Sequence, residues 1–422
     1  MTVVAKTSAY PKSVQSGLPR LGACPPGWTR GPLSAHLIEE LRPLNMSDDE
    51  VYDLVTVKRS RGGVVLRERL KGSQIAVKSQ FRLKAGDFLI SKRQIVHGAC
   101  GIVPPELDGA IVSNEYSVLR ARPSLDLNFL NCLAHSIYFQ QTCFHSSIGV
   151  HVEKMIFKLD QWMKWDFDLP PHLEQRRIVE ILGTWDLAVE KVERLVANAR
   201  SQKAALMQDL LLGKRRLPGF VGNWSGRTIS DAAELDRESL GVATPSDFSF
   251  RYISLSNVQP GSISGDLETM TFSSAPSRAR RKINTGDILM ATVRPNLQAF
   301  AKVLPEHQDC VASTGFCVLS ARPGQDPSFL FHQLFGDRIT SQIDALVVGS
   351  NYPAINSSDV ANLRFDCPDI EEQVALSTVL DCADFSVQGR EAQLAALQQE
   401  RAALRQQLLT GRRTVTVQAE AA

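Results

Sequence analysis

The chain has 422 residues, of which 43% are apolar and 22% charged, and its formal net charge is +2. That length exceeds one ordinary domain and supplies material for two or three soluble cores. A near-neutral balance excludes bulk electrostatics as a drive toward nucleic acid, so any basic surface has to come from local segregation of charge.

Residues 1–21 read as an N-terminal tail in which Lys6, Lys12 and Arg20 lie among polar residues, without the apolar core of a secretory leader. No run of about 18 apolar residues occurs, so no membrane span is expected. The eight cysteines stand singly, with no C-x-x-C pair, which indicates neither a zinc site nor a disulfide framework. Lone thiols suit a reducing compartment, and the cytoplasm is the expected location.

Residues 22–168 mix short alternating apolar runs with Gly, Pro, Asn and Asp, the pattern of a mixed α/β module. Val51–Val57 is a predicted strand, and Lys58-Arg59-Ser60-Arg61-Gly62-Gly63 is a basic turn at its end. Gly86-Asp87 opens an aliphatic strand, and Lys92-Arg93 follow it. Residues 169–216 then form a long helix with Pro171 near its start and Gly213 as C-cap. Its apolar seam runs through Ile178, Leu182, Trp185, Val189, Val192, Val196, Ala199, Leu206 and Leu210 in alternating steps of four and three, interrupted by Lys203. This is a heptad pattern.

Residues 217–366 are a second mixed module. Phe250–Leu255 and Asp287–Val293 are predicted strands; Pro327–Phe335 and Asp337–Val347 are predicted helices. Arg278-Ala279-Arg280-Arg281-Lys282 precedes Gly286-Asp287, and Arg294-Pro295-Asn296 follows the next strand. Residues 367–413 are a second heptad helix with a seam of Leu376, Leu380, Ala383, Val387, Leu394, Leu397, Leu404 and Leu408, interrupted by Arg390 and Arg401. Asp369 and Glu372 stand at the spacing of a capping box, Gly389 is a candidate bend, Gly411 is placed as C-cap, and 414–422 form a tail. About forty residues at about 1.5 Å each make a rod of roughly 60 Å.

The chain is written twice. At an offset of 200 residues Ser113, Val118, Leu119, Ala121, Arg122, Pro123, Asp126, Phe129 and Leu130 meet identical residues, and Gly86-Asp87 meets Gly286-Asp287. At an offset of 198, Phe167-Asp168-Leu169-Pro170 meets Phe365-Asp366-Cys367-Pro368, Glu174-Gln175 meets Glu372-Gln373, and Lys203 meets Arg401. Gly27-Trp28 is answered by Asn223-Trp224. The expected fold is therefore α+β, with two tandem mixed α/β modules separated by two long helices. Each apolar seam needs a partner, and the simplest solution packs the rods on each other, antiparallel about a pseudo-two-fold axis, as a spacer of fixed length.

Three signatures make the chain resemble the specificity subunit of type I restriction-modification systems. The first is Leu169-Pro170-Pro171-His172-Leu173-Glu174-Gln175 opening a long helix, echoed by Cys367-Pro368-Asp369-Ile370-Glu371-Glu372-Gln373. The second is the repeated Gly-Asp before an aliphatic strand. The third is Val55–Gly63 followed by Gly98-Ala99-Cys100-Gly101-Ile102-Val103-Pro104. The second copy departs from Leu-Pro-Pro by reading Cys-Pro-Asp. The resemblance implies two target-recognition domains, each reading half of an interrupted site in double-stranded DNA. It implies helices that set the gap and dock two methyltransferase subunits, and a chain that is itself non-catalytic. S-adenosylmethionine, ATP and Mg are expected in the methyltransferase and motor-nuclease partners, and no cofactor or metal in this chain.

Base edges and phosphates call for donors and cations. Lys58, Arg59, Arg61, Lys92 and Arg93 in the first module, and Arg280, Arg281, Lys282, Arg294 and Asn296 in the second, are the expected DNA contacts. The turns carrying Arg93 and Arg294 are equivalent and favoured; a solvated loop is the plain alternative for each. Asp87 and Asp287 read as turn formers, and Trp162 and Trp165 as core. Ser350-Asn351-Tyr352-Pro353 is close in composition to an adenine-methyltransferase tetrapeptide, but its order is wrong and no Gly-rich cofactor loop precedes it, so it reads as a loop. No lysine follows Lys302, which excludes a nuclease motif opening at Pro368-Asp369. Neither H-E-x-x-H nor a Walker A loop occurs. A scaffold with two protein-interaction modules and no DNA role is the competing reading. An enzyme with a site between the halves ranks third, since no convergent nucleophile or acid/base set is visible.

Overall fold

Each module closes on itself where its chain enters and leaves. In the computed structural model, which describes residues 14–15, 17–347 and 353–416, Thr29–Pro32 pairs antiparallel with Asp166–Leu169, Thr29 opposite Leu169. Ser225–Thr228 pairs in the same way with Arg364–Cys367, Ser225 opposite Cys367. The exit strand of each pair runs straight into a 40-residue helix, His172–Leu211 or Ile370–Leu409. Proline ends the strand each time because it cannot donate to the ladder. The second helix is continuous through Gly389. Ser350, Asn351 and Tyr352 lie outside the described residues, as do most of the N-terminal tail and the end of the C-terminal one.

The two modules share a strand order although their middle sequences diverge. The first has a four-stranded sheet ordered Leu37–Glu39, Tyr116–Ala121, Phe88–Ser91, Cys100–Ile102. Its counterpart in the second runs Ala233–Leu235, Phe316–Ala321, Ile288–Ala291, Phe300–Lys302. Phe88–Ser91 and Ile288–Ala291 are buried at every position, which explains why they read as unbroken apolar runs rather than as alternation. A second sheet in each module contains a parallel pair, Val51–Val57 beside Ile111–Ser113 and Ser249–Ile253 beside Cys310–Ser313. The strand expected at 250–255 thus starts and ends slightly earlier, and Asp287–Val293 contracts to Ile288–Ala291. The helices expected at 327–335 and 337–347 form as Pro327–Leu334 and Asp337–Val347.

Packing does not respect the boundaries that set the helices apart from the modules at 169–216 and 367–413. The chain divides into two compact units, one running to Lys191 and resuming at Leu394, the other spanning Val192–Gln393. The reason is core sharing. In the first unit Ile178 and Leu182 from one helix and Leu404, Leu408 and Leu409 from the other bury in one cluster with Phe129, Trp162 and Phe167. In the second unit Leu210, Leu211, Leu376 and Leu380 bury with Ile229, Phe329 and Phe365. Burial of each such side chain contributes about 1.5–3 kcal/mol.

Of the remaining seam positions, Val189, Val192, Val196 and Ala199 are buried. Trp185, Leu206, Ala383, Val387, Leu394 and Leu397 are half-buried. Two of the three cations that interrupt the seams meet equivalent carboxylates. Lys203 pairs with Asp384 in the second unit, and Arg401 pairs with Asp186 at 2.9 Å in the first. The offset of 198 residues carries Lys203 onto Arg401 and Asp186 onto Asp384, so a single interaction is written twice.

The repeated Glu-Gln at each helix start ties helix to module. Gln175 is fully buried. Its amide donates to the carbonyls of Pro170 and Ser124 at 2.9 Å each, and its oxygen accepts from the Asp126 amide at 2.8 Å. Gln373 does the same with the Pro368 carbonyl and the Asp326 amide, both at 2.9 Å. Glu174 accepts from the Trp28 indole at 3.3 Å. Glu372 accepts from the Trp224 indole at 3.1 Å and from Arg216 at 2.6 Å. Arg216 and Trp224 thus engage the Glu372 carboxylate on which the expected capping box would draw.

Both helices end on a left-handed glycine, Gly213 and Gly411, each with φ +64°. A Cβ at Gly411 would stand 2.4 Å from Cγ of Pro25, whereas one at Gly213 would meet nothing closer than the Trp224 ring at 3.6 Å. Gly411→Ala is therefore expected to cost about 1–3 kcal/mol of overpacking beyond the left-handed backbone penalty that Gly213→Ala also carries. Urea denaturation of the two variants side by side measures the difference.

His135 sits among Arg405, Arg61 and Arg401, and burial first, then these cations, pushes its pKa from the ordinary 6.5 down to about 3. The folded chain keeps this imidazole neutral while the unfolded chain protonates it. Stability is therefore expected to fall as pH drops from 6.5 toward about 3. His135→Phe, which introduces the residue found at the equivalent position Phe335, should flatten that part of the stability–pH curve.

Candidate nucleic-acid interface

Three segments of the first module converge beyond the end of strand Val51–Val57. The turn after it is closed by the Lys58 amide to the Gly63 carbonyl at 3.0 Å and by the Arg61 amide to the Gly98 carbonyl at 2.8 Å. These bonds hold Ser60 and Arg61 at φ 56° and 60°, a left-handed conformation that costs a non-glycine residue about 1–3 kcal/mol and tends to occur at functional turns. The second segment is the turn following Lys92 and Arg93: Arg59 Nε donates to Gln94 at 2.8 Å and Arg59 Nη2 to Glu153 at 2.9 Å. Glu153 belongs to the third segment, fastened by the Phe157 amide on the Lys92 carbonyl at 2.8 Å.

The expected contacts of this module differ in how available they are. Lys58 is exposed and has no side-chain partner among the described residues. Arg59 is exposed but engaged by Glu153 and Gln94. Arg93 is held by Glu115, and the Lys92 ammonium donates to the Asn114 carbonyl at 2.9 Å. Arg61 does not face outward as expected. Its left-handed backbone turns the side chain in against Gly98, where a Cβ would lie 2.9 Å from its Nη1. Its Nε is buried without a partner, and burial lowers its pKa.

In the second module the turn after the buried strand Ile288–Ala291 is a short 3-10 element, Pro295–Leu297, flanked by left-handed Arg294 and Gln298 at φ 50° and 53°. It is anchored by the Arg294 amide on the Pro353 carbonyl at 2.7 Å and by the Thr292 hydroxyl on the Gly315 carbonyl at 2.9 Å. Arg294, Asn296 and Leu297 are exposed, and neither Arg294 nor Asn296 has a side-chain partner among the described residues. Ala279–Lys282 is the terminal strand of a different sheet. Arg280 stacks on Phe272 at 4.5 Å, Arg281 pairs with Asp236 at 2.7 Å, and Lys282 pairs with Glu238 at 2.5 Å. Asp236 and Glu238 thus engage two of the four cations in the run that looked most basic in the sequence.

Asp87 and Asp287 have structural partners. Asp87 is buried, accepts from the Lys84 amide at 2.8 Å and receives both nitrogens of Arg42 at 2.6 and 3.0 Å. Asp287 accepts from the Asn284 amide and the Ser320 hydroxyl, both at 2.7 Å. Trp162 is fully buried and donates to Thr142 at 3.1 Å; Trp165 donates to Ser146 at 2.9 Å.

A cluster that motif spacing did not reveal joins the second module to its helix. His332, Asp381 and Asp384 lie close enough together to hold a cation. Asp381, however, already accepts from Lys302 at 2.7 Å, from Ser328 at 2.8 Å and from His332 at 2.9 Å, and Asp384 pairs with Lys203. These partners hold the Asp381 carboxyl well below the ordinary range. Two ammonium groups supply the positive charge that a metal would bring, so the set reads as a polar network. It escaped detection because its members come from four separate stretches of chain. Among the described residues, no helix is long and apolar enough to cross a membrane.

Comparison with known proteins shows what these features resemble. Residues 264–396 match the family described as type I restriction modification DNA specificity domain. The type I restriction enzyme MjaVIII specificity subunit of Methanocaldococcus jannaschii is 22% identical over 284 residues, which is 62% of this chain and 64% of that protein. The chain therefore matches less than two thirds of the length of that curated relative. The fold is shared with the HsdS subunit from Thermoanaerobacter tengcongensis at 20% identity and a TM-score of 0.51, covering 92% of this chain and 97% of the other. It is also shared with a chain solved for the complex assembly and conformational transition of the type I R-M system, at 20% identity, TM-score 0.57 and coverages of 92% and 98%. The type I restriction-modification S subunit from M. genitalium is 12% identical with a TM-score of 0.56, over 94% of this chain and 98% of that one. In sequence and in fold the chain is thus similar to specificity subunits of type I restriction-modification systems.

Proposed function

We propose that this chain is the non-catalytic DNA-recognition subunit of a type I restriction-modification complex in the cytoplasm. Each module reads one half of a bipartite site in double-stranded DNA. The two long helices set the gap between half-sites and dock two methyltransferase subunits, with motor-nuclease subunits as further partners. The observation that carries this reading is the duplication: two modules of one strand order, each followed by one of two matched 40-residue helices. A bipartite site has the same logic, two readings at a constant separation. S-adenosylmethionine, ATP and Mg belong to the partners in this reading.

A methylation map of host DNA, with and without this chain and with the cognate methyltransferase intact, tests the proposal. Modified adenines at one interrupted motif should vanish when the chain is deleted. A map that does not change while the methyltransferase is active would favour the scaffold reading. Adding one heptad to each helix lengthens it by about 10 Å, roughly three base pairs. The same map should then show unchanged half-sites with a wider gap.

The difference in availability between the basic groups gives a residue-level expectation. Arg294→Ala removes an exposed arginine with no partner among the described residues, and should weaken binding of the cognate duplex by about tenfold if it makes a bidentate base contact worth roughly 1–3 kcal/mol. Arg281→Ala removes a cation already spent on Asp236 and should change DNA affinity far less. Fluorescence anisotropy at fixed salt, on the assembled complex, compares the two.

A further inference from the structure

We propose that Leu187 and Phe385 are the apolar anchors of two equivalent docking surfaces for two copies of one protein partner, and that the Phe385 surface holds its copy the more tightly. The proposal rests on the reading above, in which that partner is the methyltransferase subunit.

The offset of 198 residues superposes Leu187 on Phe385 in sequence. The seam residues of the same helices are buried or half-buried, yet Leu187 is 59% exposed and Phe385 78%. Neither residue serves its module's core at that exposure. An exposed phenylalanine on a heptad helix has no folding role, whereas large apolar side chains ringed by polar ones anchor protein interfaces. Scattered surface apolar residues are ordinary. Two of them at one repeat-related position, one on each helix, are a patterned pair. A surface written twice in one chain matches a partner present in two copies.

The two surfaces are not of equal strength. Phe385 lies at a groove of about 630 Å³, whose lining includes Phe331, Ile263 and Leu304. Four carboxylates line it, Glu306, Asp381, Asp384 and Glu391, with the cations Arg200 and Lys302, and Lys203 pairs with Asp384. Those two cations are already paired, Arg200 with Glu391 at 2.5 Å and Lys302 with Asp381 at 2.7 Å. A wall whose lysine and arginine groups are all paired offers a phosphate backbone no free counter-charge and suits a protein side chain. The aromatic ring beside this groove offers more apolar area than Leu187.

The test titrates the full-length chain with its methyltransferase subunit and follows stoichiometry by mass photometry and affinity by calorimetry. The wild-type chain should take two copies in two resolved steps. Phe385→Ala should weaken the tighter step at least tenfold, about 1.4 kcal/mol, and Leu187→Ala should weaken only the other. Both residues are exposed, and unchanged circular dichroism and melting confirm that the variants fold. Two copies bound to both variants with wild-type affinities would overturn the anchors. Loss of the weaker step in Phe385→Ala, with the tight step intact, would overturn the ranking. Failure of the wild-type chain to bind any copy would overturn the methyltransferase reading itself.

Discussion

The buried glutamine at the start of each long helix is the contact on which the rest of the architecture depends. Gln175 and Gln373 reach past the helix they open to the backbone of the Pro-containing strand end and to the amide of Asp126 or Asp326. That same aspartate caps the next short helix with its side chain. One amide group therefore fixes the angle at which the chain leaves its module. The acid beside it, Glu174 or Glu372, fixes the indole at the module's entry. Because the interior is dry, an unmade bond here costs about 1–3 kcal/mol, so the arrangement tolerates little variation. Both copies keep it.

From this joint the division of labour within each unit follows. Each helix contributes one end to each core, and two of the cations that interrupt the apolar seams, Lys203 and Arg401, meet repeat-related carboxylates, Asp384 and Asp186. The modules themselves vary in the middle of their sequences while keeping strand order. Variation is permitted there because edge strands and turns need only alternate and pair, whereas the central strands are buried on both faces. A module of this kind can change the residues at its turns without disturbing the joint.

Much of the fold was legible in the chain. The duplication, the heptads, the glycine C-caps and the strands Val51–Val57 and Ile288–Ala291 depend on spacing or on backbone chemistry within a few residues, which a single sequence carries. The turn-forming role of Asp87 and Asp287 was legible for the same reason. The candidate contacts were less so. Arg61 was grouped with Lys58 and Arg59 because the three are adjacent, yet a left-handed backbone sends it inward. Arg280, Arg281 and Lys282 looked like the strongest basic run, yet Phe272, Asp236 and Glu238 engage them.

The sequence by itself determined that there are two modules on two matched helices, because periodicity and repetition are properties of the order of residues along a chain. Tertiary structure alone decided which charges are free and which apolar groups are left outside. Arg281 and Asp236, Arg59 and Glu153, and Lys302 and Asp381 are separated by long stretches of chain, and an ion pair forms only when folding brings its members within a few ångströms. Leu187 and Phe385 follow the same rule: each is one apolar residue among many on a heptad helix, and only the packing of its neighbours shows that each stays exposed among the described residues.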